Sequence, residues 1–195
     1  MKMRNNQMKR KLTFTVFLLI FSIFLSSCGS PVSYTVDKEH EKKMKVIYNM
    51  ISGLVENDSK LYLSTFEPSY LDNVKKVVDT LGTQYFDAES YNDLIDTFFL
   101  QYAMGLEANY GKNINVSLSF NSVEEKSKND LGAFIDDYSV SYHLPIDNIK
   151  SVSEVSVKLY VTGSDSSESS DVSFTLLEMT DEKWYIHPES FLYSF

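Results

Sequence analysis

The chain has almost no cysteine, little arginine and no apolar run long enough to span a bilayer. Each shortage removes a class of explanation. Cys28 is the only cysteine among 195 residues. No intrachain disulfide can form, and one thiol cannot build a cysteine-based metal cage. Arginine occurs only as Arg4 and Arg10, and 27 acidic residues face 18 basic ones. That balance lacks the clustered cations that neutralise a phosphate backbone, so nucleic acid is not expected as a partner. The longest apolar run, residues 12–25, falls short of the ~20 residues a spanning helix needs. Histidine is scarce: His40, His143 and His187 are the only three, no two share helical spacing, and no His-Glu-x-x-His occurs. His40 is read as solvated in the first turns of a helix, His143 as the end of a helix and His187 as the end of a strand. The pairs Glu124–Glu125 and Asp136–Asp137 are sequence neighbours, whose side chains point apart on a helix or strand, which disfavours a shared-proton dyad. Asp58 and Asp72 offer nothing better. With no Gly-rich phosphate loop and no Gly-x-Ser-x-Gly, no catalytic residue, metal or cofactor is expected.

What the N-terminus does contain is a leader. Lys2, Arg4, Lys9, Arg10 and Lys11 precede residues 12–25 with no acid among them, and the small residues Ser26 and Ser27 follow. This is the pattern of a secretory signal peptide. Leu25-Ser26-Ser27-Cys28 resembles a lipobox, the site at which bacterial lipoprotein precursors are lipidated on cysteine and cut before it. The resemblance implies a signal peptide at 1–27, a lipidated polar tether at 28–36 and one domain at 37–195. It also implies a membrane contact through diacylglyceryl and acyl chains on Cys28, at the extracytoplasmic face of the cell membrane. Removing the leader takes five bases and no acids, which moves the formal net charge from −9 to −14. A chain so acidic gains nothing from anionic lipid, so the acyl chains do the anchoring. The remaining length can bury ~70% of its extended surface without disulfide staples.

The body reads as helices followed by strands. Met44, Ile47, Tyr48, Ile51, Leu54 and Val55 share one helical face, which predicts a helix over 37–56. Residues 57–59 break it, and the helix is free to resume through Phe66. A second helix starts at Pro68, capped from Ser64 or Thr65, and ends at Gly82; Leu71, Val74, Val77, Val78 and Leu81 form its stripe. A third spans 89–110 with Tyr91, Leu94, Ile95, Phe98, Phe99, Tyr102 and Leu106, the most apolar of the three and the one expected to be most buried. The period then changes to two over 114–120, a half-buried strand. Residues 122–129 read as a charged connector and 130–142 as another helix. Strands follow at 154–161 and at 172–179, with Val172, Phe174 and Leu176 inward. Residues 163–170 between them read as a flexible loop with too little apolar content to pack. A short strand at 183–186 closes an antiparallel meander. Helices segregated onto an antiparallel sheet make an α+β layout.

Aromatic content is the one excess, with 13 Tyr and 13 Phe. Stripes at helical spacing are usually core. The same residues also suit a ligand cavity between helices and sheet, lined by Tyr91, Tyr102, Tyr138, Tyr142 and Trp184, with Tyr110 and Tyr185 as further candidates and tyrosine hydroxyls as polar handles.

The stretches 109–116, 155–161 and 182–186, the last ending Lys183-Trp184-Tyr185-Ile186, are similar to a group of small lipoproteins from low-GC Gram-positive bacteria. With the first helix ahead of them they resemble the NTF2-like or cystatin-like architecture, in which helices pack into the concave face of a curled antiparallel sheet. The resemblance implies a fold and carries no catalytic residues with it. Three functions remain in view: a non-catalytic surface lipoprotein that binds a cell-envelope partner, a carrier or sensor of a small apolar or aromatic ligand, and an NTF2-like enzyme using a buried carboxylate. A filled core with an exposed apolar patch near 191–195 favours the first. A cavity of roughly 300 Å3 or more favours the second, and a buried carboxylate of raised pKa facing that cavity favours the third.

Overall fold

The computed structural model describes residues 31–84, 88–126, 146–188 and 190, all within one compact unit, Pro31–Phe195. The leader, Cys28, the helix expected over 130–142 with Tyr138, Tyr142, His143 and Asp136–Asp137, and the patch at 191–195 lie outside the described residues.

The elements are β1 (Val32–Thr35), α1 (Glu41–Val55), α2 (Ser59–Leu63), α3 (Pro68–Leu81), α4 (Tyr91–Tyr110), β2 (Asn115–Lys126), β3 (Ile149–Thr162), β4 (Ser167–Met179) and β5 (Trp184–Ile186). The strands form one sheet in the order β1-β2-β3-β4-β5. β2 to β5 are antiparallel neighbours, while β1 runs parallel to β2. The architecture is α+β, a curled five-stranded half-barrel with its helices between the edge strand β1 and the meander. A bulge in β2 between Phe120 and Ser122 adds local twist and bends the strand.

The core is a stack of cross-strand rows under α1. Residues paired across strands share a face. Phe120, Val157 and Val172 make one row, and Val123, Val155 and Phe174 another. Onto these α1 sets Met44, Ile47, Met50, Ile51 and Leu54, all buried. Gly53 lets α2 approach: a Cβ there would lie 2.6 Å from the backbone nitrogen of Tyr62. Asp58 opens α2 by accepting the Leu61 N–H at 3.0 Å, a side-chain cap of the expected kind.

Six expectations need correction. Residues 32–35, read as part of the tether, are β1; Val32 is buried against the core, and the short parallel pairing to β2 has no local signature. The cap of α3 is Glu67, which accepts from the Tyr70 N–H at 3.0 Å. Of the α3 stripe only Val78 is buried, with Val77 and Leu81 exposed. α4 is not the most buried helix: Tyr91 and Phe99 are its only buried residues, and α1 lies deeper. A helix can be apolar all round and still have only one side of the sheet to cover. Part of the connector at 122–129 and part of the loop at 163–170 yield to strand, because β2 runs to Lys126 and β4 begins at Ser167, while 127–129 lie outside the described residues. Backbone pairing to β3 stabilises both despite polar side chains, with Glu124 opposite Glu154 and Ser169 opposite Tyr160.

Candidate functional site

An aromatic wedge fills only part of the space between helices and sheet. Tyr62 meets Phe66, Phe98 and Phe99 at ring separations of 5.1, 5.9 and 5.5 Å, and Phe98 reaches Tyr102 at 6.2 Å. The rings of Tyr62 and Phe66, from α2 and the turn after it, thus meet those of Phe98, Phe99 and Tyr102 near the middle of α4. The backbone of α4 comes close to α1, α2 and α3, and between its C-terminal half and the strands a space stays unfilled. The gap is a partly open groove of about 480 Å3, inside the range of about 300–1,000 Å3 usual for ligand pockets.

The strand rows dictate what the groove presents. Val116, Val161 and Glu168 form one row, and Leu118, Leu159 and Ser170 the next. In β4 the inward positions run Glu168, Ser170, Val172, Phe174, Leu176, at a spacing of two. The floor is therefore apolar along β2 and β3 and turns polar at β4. Ile51 and Val55 of α1 close one wall; Tyr102, Leu106 and Tyr110 of α4 close the other. At the polar end the Tyr110 hydroxyl donates to Glu168 Oε2 at 2.9 Å. Burial pushes the Tyr102 phenol up to about 12; Tyr110 is raised as well, by burial and by its bond to Glu168.

The β3–β4 turn fastens that end of α4. Asp165 N–H donates to the Tyr110 carbonyl at 3.0 Å and Ser164 N–H to the Lys112 carbonyl at 2.8 Å. Ser166 Oγ donates to the Asn109 carbonyl at 2.6 Å, and Lys112 N–H donates to Ser164 Oγ at 2.8 Å. The serines thus satisfy carbonyls that a helix end otherwise leaves open.

Of the expected lining residues, Tyr102 faces the groove, and so does Tyr110. Tyr91 does not: it starts α4 at the far end, where its N–H donates to Asp79 Oδ1 at 2.8 Å. Trp184 does not either. It lies in a separate, shallower concavity of about 330 Å3 with Tyr185, Lys45 and Thr65, under the Lys43 ammonium at 4.7 Å. Both miss the groove because aromatic identity says nothing about which end of the sheet a residue reaches. Glu168 and Ser170 were missed for the opposite reason. They sit in a serine-rich run, although continuing the alternation of Val172 and Phe174 backwards places them inward.

His40 is only partly solvated: its ring stacks on Phe120 at 4.5 Å and meets Asp37 Oδ1 at 2.8 Å, and the His40 hydrogen bonds lower the Asp37 carboxyl. His187 is buried, and that burial pushes its imidazole far down, to about 2. Glu124 and Glu125 do point apart. Glu124 pairs with Lys126 at 3.1 Å, whereas Glu125 pairs with Lys43 and accepts from Ser153 Oγ at 2.6 Å. Burial alone would raise Glu125, but those two partners outweigh it and hold the carboxyl low. Among the described residues no group of three His, Cys, Asp or Glu side chains is arranged to hold a metal, and no helix is long and apolar enough to cross a membrane. Compared with protein-family models, curated proteins and solved structures, the chain matches none.

Proposed function

We propose that this chain is a lipid-anchored, extracytoplasmic binding protein of NTF2-like architecture that holds a small apolar or aromatic ligand between α4 and the sheet. The groove of about 480 Å3 carries the reading. Its floor of Val116, Leu159 and Val161 is largely shielded by the fold, and an apolar ligand would bury what remains at ~25 cal/mol per Å2. Ligand pockets combine such a floor with a few placed polar groups, here the Tyr110 hydroxyl and Glu168. Anchoring is argued from Leu25-Ser26-Ser27-Cys28 and the basic leader before it. The chemistry is binding rather than catalysis: Glu168 is exposed, unlike the buried carboxylate a proton-transfer reaction uses.

Native mass spectrometry on the protein drawn gently from producing cells tests this. A stoichiometric small-molecule adduct that departs on denaturation is expected. A clean mass of the lipidated chain, with no small probe binding on titration, would sink the reading. A second reading, docking of an envelope protein, has its own observation: Leu100 and Met104, one turn apart on α4, are each 62% exposed. Crosslinking from position 104 in intact cells, yielding one discrete partner, would favour it.

A further inference from the structure

We infer that the groove selects ligands carrying one cationic amine on an apolar or aromatic body, with Glu168 as the specificity-determining residue. This rests on the ligand-binding reading of the groove. Among the described residues, Glu168 is the only acidic or basic one lining the groove. Lys112, close by in sequence to Tyr110, lines a neighbouring concavity instead. The pairing of Glu168 with Val161 in β3 turns the carboxylate toward the groove side of the sheet, and the Tyr110 hydroxyl engages its Oε2 at 2.9 Å. A carboxylate accepts several hydrogen bonds, so that bond leaves acceptor capacity for an ammonium, which binds a carboxylate with charge-assisted strength. Tyr102 and Tyr110 line the same groove, and aromatic rings attract a cation placed over them. A ligand carboxylate would instead meet an uncompensated like charge beside an apolar floor, where the dielectric screens less than water. The acidic chain, at −9 and at −14 once the leader is removed, repels anions and draws cations from further out.

Three probes of one ring system separate charge from shape: tryptamine, a cation; skatole, neutral; and indolepropionate, an anion. Each is titrated calorimetrically into the full chain held in lipid nanodiscs, with empty nanodiscs subtracted. Tryptamine is expected to bind about tenfold more tightly than skatole, and indolepropionate more weakly than either. Glu168→Gln should bring tryptamine down to the level of skatole binding measured on the same variant. Added sodium chloride should weaken tryptamine and spare skatole, a readout on the unsubstituted chain that survives if the variant folds poorly. Skatole binding with no advantage for tryptamine, or an advantage indifferent to both Glu168→Gln and salt, would overturn the charge selectivity and leave the groove reading standing. Failure of all three probes would remove the groove reading itself.

Discussion

His187 is the residue whose burial most constrains the conditions the protein tolerates. It leaves β5 with 1% of its surface exposed, and its backbone N–H donates to the Thr175 carbonyl at 2.8 Å. Folding keeps the imidazole neutral, so the unfolded chain binds the extra proton below its ordinary pKa of 6.5. Stability from this group is complete above that pH and declines as the pH falls through the window below it, by up to ~1.4 kcal/mol per pH unit. The carboxylates held low by lysines, Glu125 and Glu178, act lower down. Their stabilisation is present above the ordinary value of 4.5 and is lost as the pH drops past it. Between those two values the histidine dominates. Denaturant unfolding at pH 6.5 and 5.5 should therefore differ by about 1 kcal/mol, and His187→Gln should flatten that difference. A slope unchanged by the substitution would assign it to other groups.

At the scale of elements, the C-terminal end of α4 depends on two glycines. A Cβ on Gly163 would stand 2.1 Å from the Tyr110 carbonyl oxygen, the backbone group that Asp165 engages. Gly111 has φ +79° and would bring a Cβ within 2.3 Å of Ser164 Oγ. Alanine at either position should cost about 1–3 kcal/mol and speed hydrogen exchange in the last turn of α4. Gly105 predicts the reverse. It lies inside α4 and faces the groove, and a Cβ there would meet nothing within 4 Å. Gly105→Ala should raise stability by up to ~1 kcal/mol while narrowing the groove by one methyl group, and unfolding curves for the three variants check both signs together. The serine-rich turn was illegible as a functional element because its job is done by hydroxyls and backbone N–H groups meeting another element far along the chain, as Lys112 N–H meets Ser164 Oγ.

For the whole molecule the decisive quantity is where it resides. Two or more acyl chains hold a protein on a bilayer, where one is marginal. Cys28→Ala is expected to abolish labelling of the chain by an alkyne fatty acid in cells and to move it out of the membrane fraction. Persistent labelling would disprove the lipobox reading of Leu25-Ser26-Ser27-Cys28. A lipid anchor and a groove that binds amines would together hold a ligand at the membrane surface.

The sequence by itself determined what depends on neighbours along the chain. The buried stripe of α1 follows from side chains repeating at the helical period, the start of α3 at Pro68 from a fixed φ, and the inward set Val172, Phe174 and Leu176 of β4 from strict alternation. Each is a local geometric rule read without knowing any partner. Tertiary structure alone decided the rest: that β1 joins the sheet, that α1 rather than α4 takes the centre, that polar stretches at both ends of the meander are strand, and that α4 leaves a groove. Those outcomes turn on which surfaces meet across long stretches of chain. Whether a Tyr fills a core or lines a cavity depends on how closely a helix approaches the sheet, and here Tyr62 fills the core while Tyr102, on the same aromatic wedge, opens onto the groove.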